Sequence, residues 1–160
     1  MSRIQVAFAH QKAFIPFITC GDPNLECTKR FVLAMAEAGA DLIELGIPFS
    51  DPTAEGPVIM EASERALAAG ATVDPIFAMV QDLRTSLTLP LVFMTYANVV
   101  YSYGIERFCD RCVEAGRKSG RLILCPSAGY MEYARPTEQY IDNLLFYLKY
   151  GLEAVERCRR

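Results

Sequence analysis

The 160-residue sequence contains a single histidine, no apolar segment as long as a membrane span, and no excess of basic residues. It carries 16 basic and 19 acidic residues, and the net charge of −3 argues against a nucleic-acid-binding surface. Glycine, proline or charge interrupts every apolar stretch before the roughly 20 residues that a transmembrane helix needs. His10, Gln11 and Lys12 also interrupt the apolar N-terminus, so we expect no signal peptide. These absences predict a cytoplasmic protein without nucleic-acid or membrane partners.

Six cysteines are scattered through the chain without the spacing of a disulfide framework. In a cytoplasmic protein they are interpreted as buried thiols. Cys109 and Cys112 form the one pair with metal-like spacing, but the sequence has no second such pair and its histidine is remote. The two interpretations of this pair are a zinc or redox site and two half-buried thiols on a helix, of which the helical pattern favours the second. We predict no metal site.

Strand and helix patterns alternate along the chain. Short apolar runs predict four strands, and their lack of polar alternation indicates burial on both faces. Apolar residues at helical spacing predict helices between them; a turn at residues 21–24 can cap the first helix and Gly39 can end it. The predicted strands are residues 14–19, 41–45, 90–95 and 121–125, and the predicted helices are residues 25–38, 57–69, 74–86, 105–115 and 136–157.

Four strand–helix units in succession predict an α/β fold of parallel βα units with right-handed crossovers. A closed (β/α)₈ barrel needs eight strands and about 250 residues, so four units amount to half a barrel. We expect one α/β domain over residues 1–160, which pairs with another copy, opens into a smaller sandwich, or was cut from a larger parent. Unpaired strand edges favour self-association, so a homo-oligomer is a natural expectation.

A carboxylate stands at the end of the second predicted strand, in the run IELGIPFSDP at residues 43–52. Glu44 is this strand-end acid, and Asp51 lies in the glycine- and proline-containing loop that follows. Ligands bind at the carboxyl ends of strands in parallel α/β proteins, so Glu44 is a candidate catalytic residue. Two structural alternatives stay open: Glu44 caps the next helix or pairs with an outer lysine, and Asp51 is a turn residue.

Residues 14–116 resemble the alpha subunit of tryptophan synthase almost element by element. The matching runs are FIPFITCGDP at residues 14–23, AGADLIELGIPFSDP at 38–52, GPVI at 56–59 leading into ALAAG at 66–70, and MTYAN at 94–98. The second run is highly specific for this family. The resemblance implies a TIM barrel and a lyase of tryptophan biosynthesis that uses no cofactor. Such an enzyme cleaves indole-3-glycerol phosphate to indole and glyceraldehyde 3-phosphate by a retro-aldol step.

The resemblance also implies roles for individual residues. Glu44 matches the family's general acid/base, which protonates the indole ring carbon while the side-chain hydroxyl of the substrate loses its proton. Glu55 matches a second acid that steadies the indole N–H, at a position where the family usually has aspartate. Phe17 and Tyr96 match residues that line the indole pocket. The alternative for Phe17, Met94 and Tyr96 is a place in the core without substrate contact.

A loop in the matching region also implies a partner. Asp51, Pro52 and Gly56 match the surface through which the family contacts the tryptophan synthase beta subunit. That subunit is therefore an expected partner, beside a small-molecule phosphate substrate. The extra methylene of Glu55 moves its carboxylate by about a bond length relative to aspartate, and such a misplacement can lower a rate about 10²-fold.

The resemblance ends after Gly116, so the expected parts are residues 1–116 and a divergent βα unit over residues 117–160. This tail is similar to the end of a uroporphyrinogen decarboxylase-like barrel, which suggests a chimera or a truncated relic. Ser127 and Gly129 lie in a loop of small residues whose amides can hold a phosphate. We expect impaired lyase activity, because the family's later phosphate-binding strands are missing. The alternative is a non-catalytic, self-associating α/β scaffold.

Overall fold

The computed structural model of the chain describes residues 12–52, 55–116 and 122–126. In chain order, these residues form β1 (Phe17–Thr19), α1 (Leu25–Glu37), β2 (Ile43–Gly46), α2 (Gly56–Ala68), α3 (Val73–Leu83), β3 (Leu91–Thr95), α4 (Ala97–Tyr103), α5 (Ile105–Gly116) and β4 (Leu122–Pro126). All four predicted strands are present, and α1, α2, α3 and α5 match predicted helices to within a few residues. The helix predicted at residues 136–157 lies outside the described residues.

The first helix begins and ends where the sequence predicts. The side-chain Oδ1 of Asn24 accepts a hydrogen bond of 2.8 Å from the backbone N–H of Cys27, which satisfies one of the free donors of the first turn of α1. At the other end, Gly39 has φ of +91°, a left-handed conformation that glycine adopts without steric cost. The chain can therefore reverse after α1 and enter β2.

The short helix α4 is the one element among the described residues that the sequence patterns did not predict. It has only 7 residues, so its apolar positions do not show a clear helical period. Its two adjacent valines are β-branched, and such residues favour strands over helices. Tertiary contacts stabilise it instead: Val100 is buried, and the hydroxyl of Tyr103 donates a hydrogen bond of 2.5 Å to Asp74 on α3. Tertiary packing thus decides the structure of this segment.

The strands form one parallel sheet in the order β1-β2-β3-β4. Each strand pairs with the next strand along the chain, which confirms the predicted succession of parallel βα units. Two cross-sheet rows lie on one face of the sheet: Phe17, Glu44 and Val92 in the first row, and Thr19, Gly46 and Met94 in the second. Because side chains alternate along a strand, the residues between them belong to the other face.

The other face of the sheet carries the hydrophobic core. Its side chains from β2 and β3 are fully buried and pack in one cluster with apolar residues of α1, α3 and α5. Phe77 on α3 makes edge-on ring contacts with Phe93 of β3 at 5.3 Å and with Phe108 of α5 at 5.2 Å. Aromatic rings in this arrangement bury large areas and fix the position of the helices against the sheet.

Helix α2 lies close to the carboxyl end of β1. Gly21 follows β1, and a Cβ atom at this position would lie 2.1 Å from the Cβ of Ala71 and 3.2 Å from the Cβ of Ala66. Gly21 also has φ of +96°, so both its backbone conformation and this close approach require glycine. The contact brings Ala66 of α2 and Ala71, three residues beyond the end of that helix, against the end of β1.

Cys109 and Cys112 lie on α5, and both are buried. They are three residues apart on a helix, so they share one face, and that face points into the protein. The structure thus places both thiols on a helix, as expected, but buries them more deeply than the half-buried position that the sequence suggested.

Among the residues that the structure describes, no helix is long and apolar enough to cross a membrane. Of the helices in the described part of the chain, α1 and α2 are the longest, with 13 residues each. A membrane-spanning helix needs about 20.

Candidate functional site

A cavity of about 290 Å³ opens at the carboxyl ends of β1, β2 and β3. Strand-end residues, the loop after β2 and the first turns of α2 form its wall. The lining residues are Phe17, Thr19, Glu44, Gly46, Ile47, Phe49, Pro52, Glu55, Ile59, Ser63, Met94, Thr95 and Tyr96. Cavities at this edge of a parallel sheet are the usual place for ligands in α/β proteins.

Two carboxylates belong to this wall. Glu44 is half-buried in β2, on the cavity face of the sheet and directly opposite Phe17 of β1 in the strand register. Glu55 is also half-buried and occupies the N-cap position of α2. The structure therefore brings together the two acids that the sequence predicted as catalytic residues.

Tyr96 connects β3 to this acidic wall. It directly follows β3, and its hydroxyl donates a hydrogen bond to Oε2 of Glu55. The ring of Tyr96 packs against the ring of Phe49 with a centroid separation of 5.1 Å. Tyr96 thus presents an apolar ring to the cavity wall and a polar group to the carboxylate.

The ring of Phe17 lies over Gly46 of the neighbouring strand β2, because glycine has no side chain. A Cβ atom at Gly46 would lie 2.6 Å from Cζ and 2.8 Å from Cε2 of Phe17, well inside van der Waals contact. The ring of Phe17 therefore occupies the space over Gly46 and forms part of the floor of the cavity. Glycine at this position determines how much of the cavity the ring leaves open.

The chemistry of the wall suits a flat, largely apolar ligand with a few hydrogen-bond donors. Aromatic and aliphatic side chains such as Phe17, Phe49 and Ile59 supply apolar surface, and Glu44 and Glu55 supply acceptors and sites for proton transfer. None of the described lining residues is basic. An anionic group of a ligand is therefore better placed away from the two carboxylates.

The residues predicted to face a partner divide between the cavity and the surface. Pro52 lines the cavity, whereas Asp51 and Gly56 are exposed and do not line it. The hydroxyl of Ser50 donates a hydrogen bond of 2.6 Å to Asp51, as in a polar turn. Ser127 and Gly129, predicted to hold phosphate, lie outside the described residues.

Several residues of the cavity wall were not predicted from the sequence. Thr19 and Gly46 lie one alternation beyond Phe17 and Glu44 on the same face, so the period of two along each strand could have identified them. Phe49 and Ser63 reach the cavity from the loop after β2 and from α2. Only the tertiary arrangement brings these two residues to the site.

Comparison with known proteins identifies the family. The model of the family described as tryptophan synthase alpha chain matches residues 5–138, which is most of the chain. The chain belongs to the tryptophan synthase alpha chain family. The matched range includes residues 117–138, beyond the motifs that carry the resemblance. Members of this family thus share more of the chain with this protein than those motifs indicate.

Two relatives show how far the similarity extends. The tryptophan synthase alpha chain of Alkaliphilus metalliredigens is 57% identical over 106 residues, which are 66% of this chain and 40% of the relative. The tryptophan synthase alpha chain of Geotalea uraniireducens is 43% identical over 153 residues, which are 92% of this chain and 57% of the relative. The chain therefore spans about half the length of the curated relatives that it matches.

Solved structures of family members agree with the fold. Tryptophan synthase subunit alpha from Legionella pneumophila matches with a TM-score of 0.72 and 36% identity, over 94% of this chain and 56% of that one. A chain of the tryptophan synthase complex from Pyrococcus furiosus matches with a TM-score of 0.62 and 41% identity, over 65% of this chain and 43% of that one. The four parallel strands with their helices are part of an α/β barrel of this family, which confirms the predicted fold class.

Proposed function

We propose that this chain carries the lyase site of its family and cleaves indole-3-glycerol phosphate to indole and glyceraldehyde 3-phosphate. In this reaction the bond between the indole ring carbon and the glycerol side chain breaks. Its electron pair goes to the ring carbon, which takes up a proton, while the neighbouring side-chain hydroxyl loses its proton and becomes the aldehyde. The reaction needs proton transfer and no external oxidant, so side chains alone can carry it out without a cofactor.

The observation that carries this proposal is the position of both predicted acids on one cavity with apolar walls. Glu44 is the general acid/base, because it lies on the cavity face of β2, half-buried beside Phe17. The aromatic and aliphatic wall offers contact area to a flat indole ring. In its protonated form the Glu44 carboxyl group can protonate the ring carbon, and as a carboxylate it can take up the proton of the side-chain hydroxyl.

Glu55 is the auxiliary acid in this proposal. A carboxylate opposite the indole N–H accepts a hydrogen bond from it. This interaction becomes stronger as positive charge develops on the ring. The side chain is one methylene longer than the usual aspartate of the family, so its carboxylate needs support to stay in place. Tyr96 is positioned to give that support through its hydroxyl.

The phosphate group of the substrate binds at a distance from Glu44 and Glu55 in this proposal. Two carboxylates and no basic side chain among the described lining residues make the cavity wall unfavourable for a dianion. Ser127 and Gly129, which follow β4, stay the predicted phosphate site, since their small-residue loop can direct amides at an anion. In this arrangement the substrate extends from the acids toward the end of β4.

We also propose a tryptophan synthase beta subunit as partner and the cytoplasm as location. Family members from Pyrococcus furiosus have been solved in a tryptophan synthase complex. Asp51 and Gly56 are exposed beside the cavity, so a partner bound there would lie next to the ligand. The free thiols of Cys20 and Cys27 fit a reducing compartment.

The test is indole release from indole-3-glycerol phosphate by the purified chain and by the variants Glu44→Gln and Glu64→Gln. Glu64 is an exposed glutamate on α2 and serves as the matched control. We expect turnover in the unsubstituted chain and in Glu64→Gln, and a loss of about 10²-fold or more in Glu44→Gln, the range for loss of a general acid/base. Absence of turnover in the unsubstituted chain, or equal turnover in all three, would reject the proposal.

A second candidate function is the non-catalytic scaffold that self-associates. It is favoured by one observation: Phe17, Glu44 and Met94 on the cavity face are only half-buried, so a second copy could cover them. This candidate predicts a dimer or larger assembly without turnover, in which Glu44→Gln changes stability alone. A monomer mass in light scattering would count against it.

A further inference from the structure

The hydrogen bond between Tyr96 and Glu55 joins two segments that are 41 residues apart in the sequence. Tyr96 directly follows β3, and Glu55 directly precedes α2. Tyr96 is only 8% exposed, and its ring is packed against Phe49. The hydroxyl is therefore held in one place by the surrounding structure, whereas Glu55 has a longer and more flexible side chain.

The side chain of Glu55 does not cap α2, although the residue occupies the N-cap position. It occupies the N-cap of α2, yet its side chain makes no capping hydrogen bond to the first turn of that helix. Its carboxylate instead accepts the Tyr96 hydroxyl at the wall of the cavity. Capping therefore does not determine the direction of the carboxylate, and the contact with Tyr96 does.

We propose that Tyr96 is a positioning residue, whose hydroxyl holds the carboxylate of Glu55 against the ligand. This inference rests on the proposed function of the same site. The hydrogen bond engages Oε2 of Glu55, and a carboxylate has a second oxygen that can accept the indole N–H. The hydroxyl of Tyr96 thus acts on the ligand through Glu55, and the ring of Tyr96 forms part of the cavity wall.

This role explains how a glutamate serves where the family usually has aspartate. A glutamate has one more rotatable bond, and ordering a side chain costs free energy each time that the ligand binds or reacts. A hydrogen bond from a packed tyrosine restricts that freedom before the ligand arrives. The longer acid is thereby preorganised in the free protein.

The test is a double-mutant cycle of Tyr96→Phe and Glu55→Ala on indole release, with indole binding measured by equilibrium dialysis. Phenylalanine keeps the ring and removes only the hydroxyl. We expect Tyr96→Phe to lower kcat about tenfold with little change in KM, because the support matters most as charge develops in the transition state. In the Glu55→Ala background we expect the same substitution to change kcat less than about twofold, since the two residues act as one unit.

The control is Tyr101→Phe on α4, a tyrosine whose side chain is 64% exposed and does not line the cavity. It should match the unsubstituted chain in kcat and indole affinity. Equal effects of Tyr96→Phe in both backgrounds, with turnover intact, would overturn this inference and leave the proposed function standing. Absence of turnover in the unsubstituted chain would overturn both.

Discussion

The helix-covered face of the sheet and its cavity face are built from alternate residues of the same strands. On β2, Ile43 and Leu45 are fully buried in the core, whereas Glu44 between them is half-buried at the cavity. On β3, Phe93 is fully buried and its neighbour Met94 is half-buried at the cavity. One residue step along a strand thus separates a position that stabilises the fold from one that can contact a ligand.

The two faces differ in how tightly their side chains are constrained. The core face packs rings edge-on, as Phe77 does with Phe93, and changes of side-chain volume in such a close-packed core cost stability. The cavity is lined instead by Gly46, the two acids and aromatic side chains such as the half-buried Phe17. Substitutions on the core face should therefore lower the free energy of unfolding, and substitutions on the cavity face should lower the affinity for a ligand.

The sharpest test of this difference compares two neighbours on β3. Phe93→Ala should lower the free energy of unfolding by about 3–5 kcal/mol, because it leaves a cavity between β3, α3 and α5. Met94→Ala should cost only about 1 kcal/mol, since it removes partly exposed apolar area, but should weaken indole binding. Urea unfolding and equilibrium dialysis measure the two effects, and similar losses of stability in both variants would contradict the distinction between the faces.

Arg84 tests whether the core face also depends on a buried polar group. Its side chain is almost fully buried at the end of α3 and donates hydrogen bonds to the backbone carbonyls of Leu87 and Leu89, in the loop before β3. Arg84→Met should lower the free energy of unfolding by about 2–3 kcal/mol, because buried carbonyls lose a charged donor. Arg30→Met, at an exposed position on α1, is the matched control and should change stability little. Equal midpoints of urea unfolding for both variants would show that the loop does not depend on Arg84.

Gly46 tests the cavity face without altering either acid. In Gly46→Ala the new methyl group displaces the ring of Phe17, which can move only into free space such as the cavity. We expect indole to bind about tenfold more weakly, which corresponds to about 1.4 kcal/mol, while the free energy of unfolding changes by less than about 1 kcal/mol. Calorimetric titration with indole measures the change. The double variant Gly46→Ala/Phe17→Leu, with a smaller side chain at the strand end, should recover part of the affinity; no recovery would mean that the ring is not the cause.

The smallest expected effect is a pH dependence of stability from Cys20, a buried residue that directly follows β1. Burial raises the pKa of its thiol from 9.0 to about 12, because the thiolate is poorly solvated inside the protein. The folded pKa lies above the unfolded one, so this contribution to stability is complete below about pH 9 and is lost as the pH rises toward 12.

The measurement for Cys20 is urea unfolding between pH 7 and pH 11 for the unsubstituted chain and for Cys20→Ala. The unsubstituted chain should lose more stability above about pH 9 than the variant does. Thiol labelling offers a check at neutral pH, because the partly exposed Cys27 should react faster than the buried Cys20. Faster labelling of Cys20 would show that the thiol is not enclosed as the structure has it.

The fold was largely predictable from local patterns, and its exceptions have local reasons. Apolar runs located all four strands, and the positive φ of Gly39 follows the predicted end of the first helix. Helix α4 was missed because its 7 residues carry no clear period, and its stability comes from contacts such as the one between Tyr103 and Asp74. Where the local helix propensity is weak, tertiary contacts decide whether a segment is helical.

The site was predictable only in part. The family motifs identified Glu44, Glu55, Phe17 and Tyr96, and the structure brings all four to one cavity. The predicted pocket role of Tyr96 did not include its hydrogen bond to Glu55, because no local pattern connects residues 41 positions apart. The roles of Ser127 and Gly129 stay predictions, as those residues lie outside the described part of the chain.

The sequence by itself determined the order of strands and helices, the turns between them, and the placement of an acid within β2. These features depend on short-range preferences: side-chain alternation, helical spacing and the backbone freedom of glycine. Only the tertiary structure decided which side chains share the cavity, how Phe17 lies over Gly46, and which group holds Glu55. The reason is physical, because those contacts form between distant segments whose separation is set by the packing of the whole sheet and its helices.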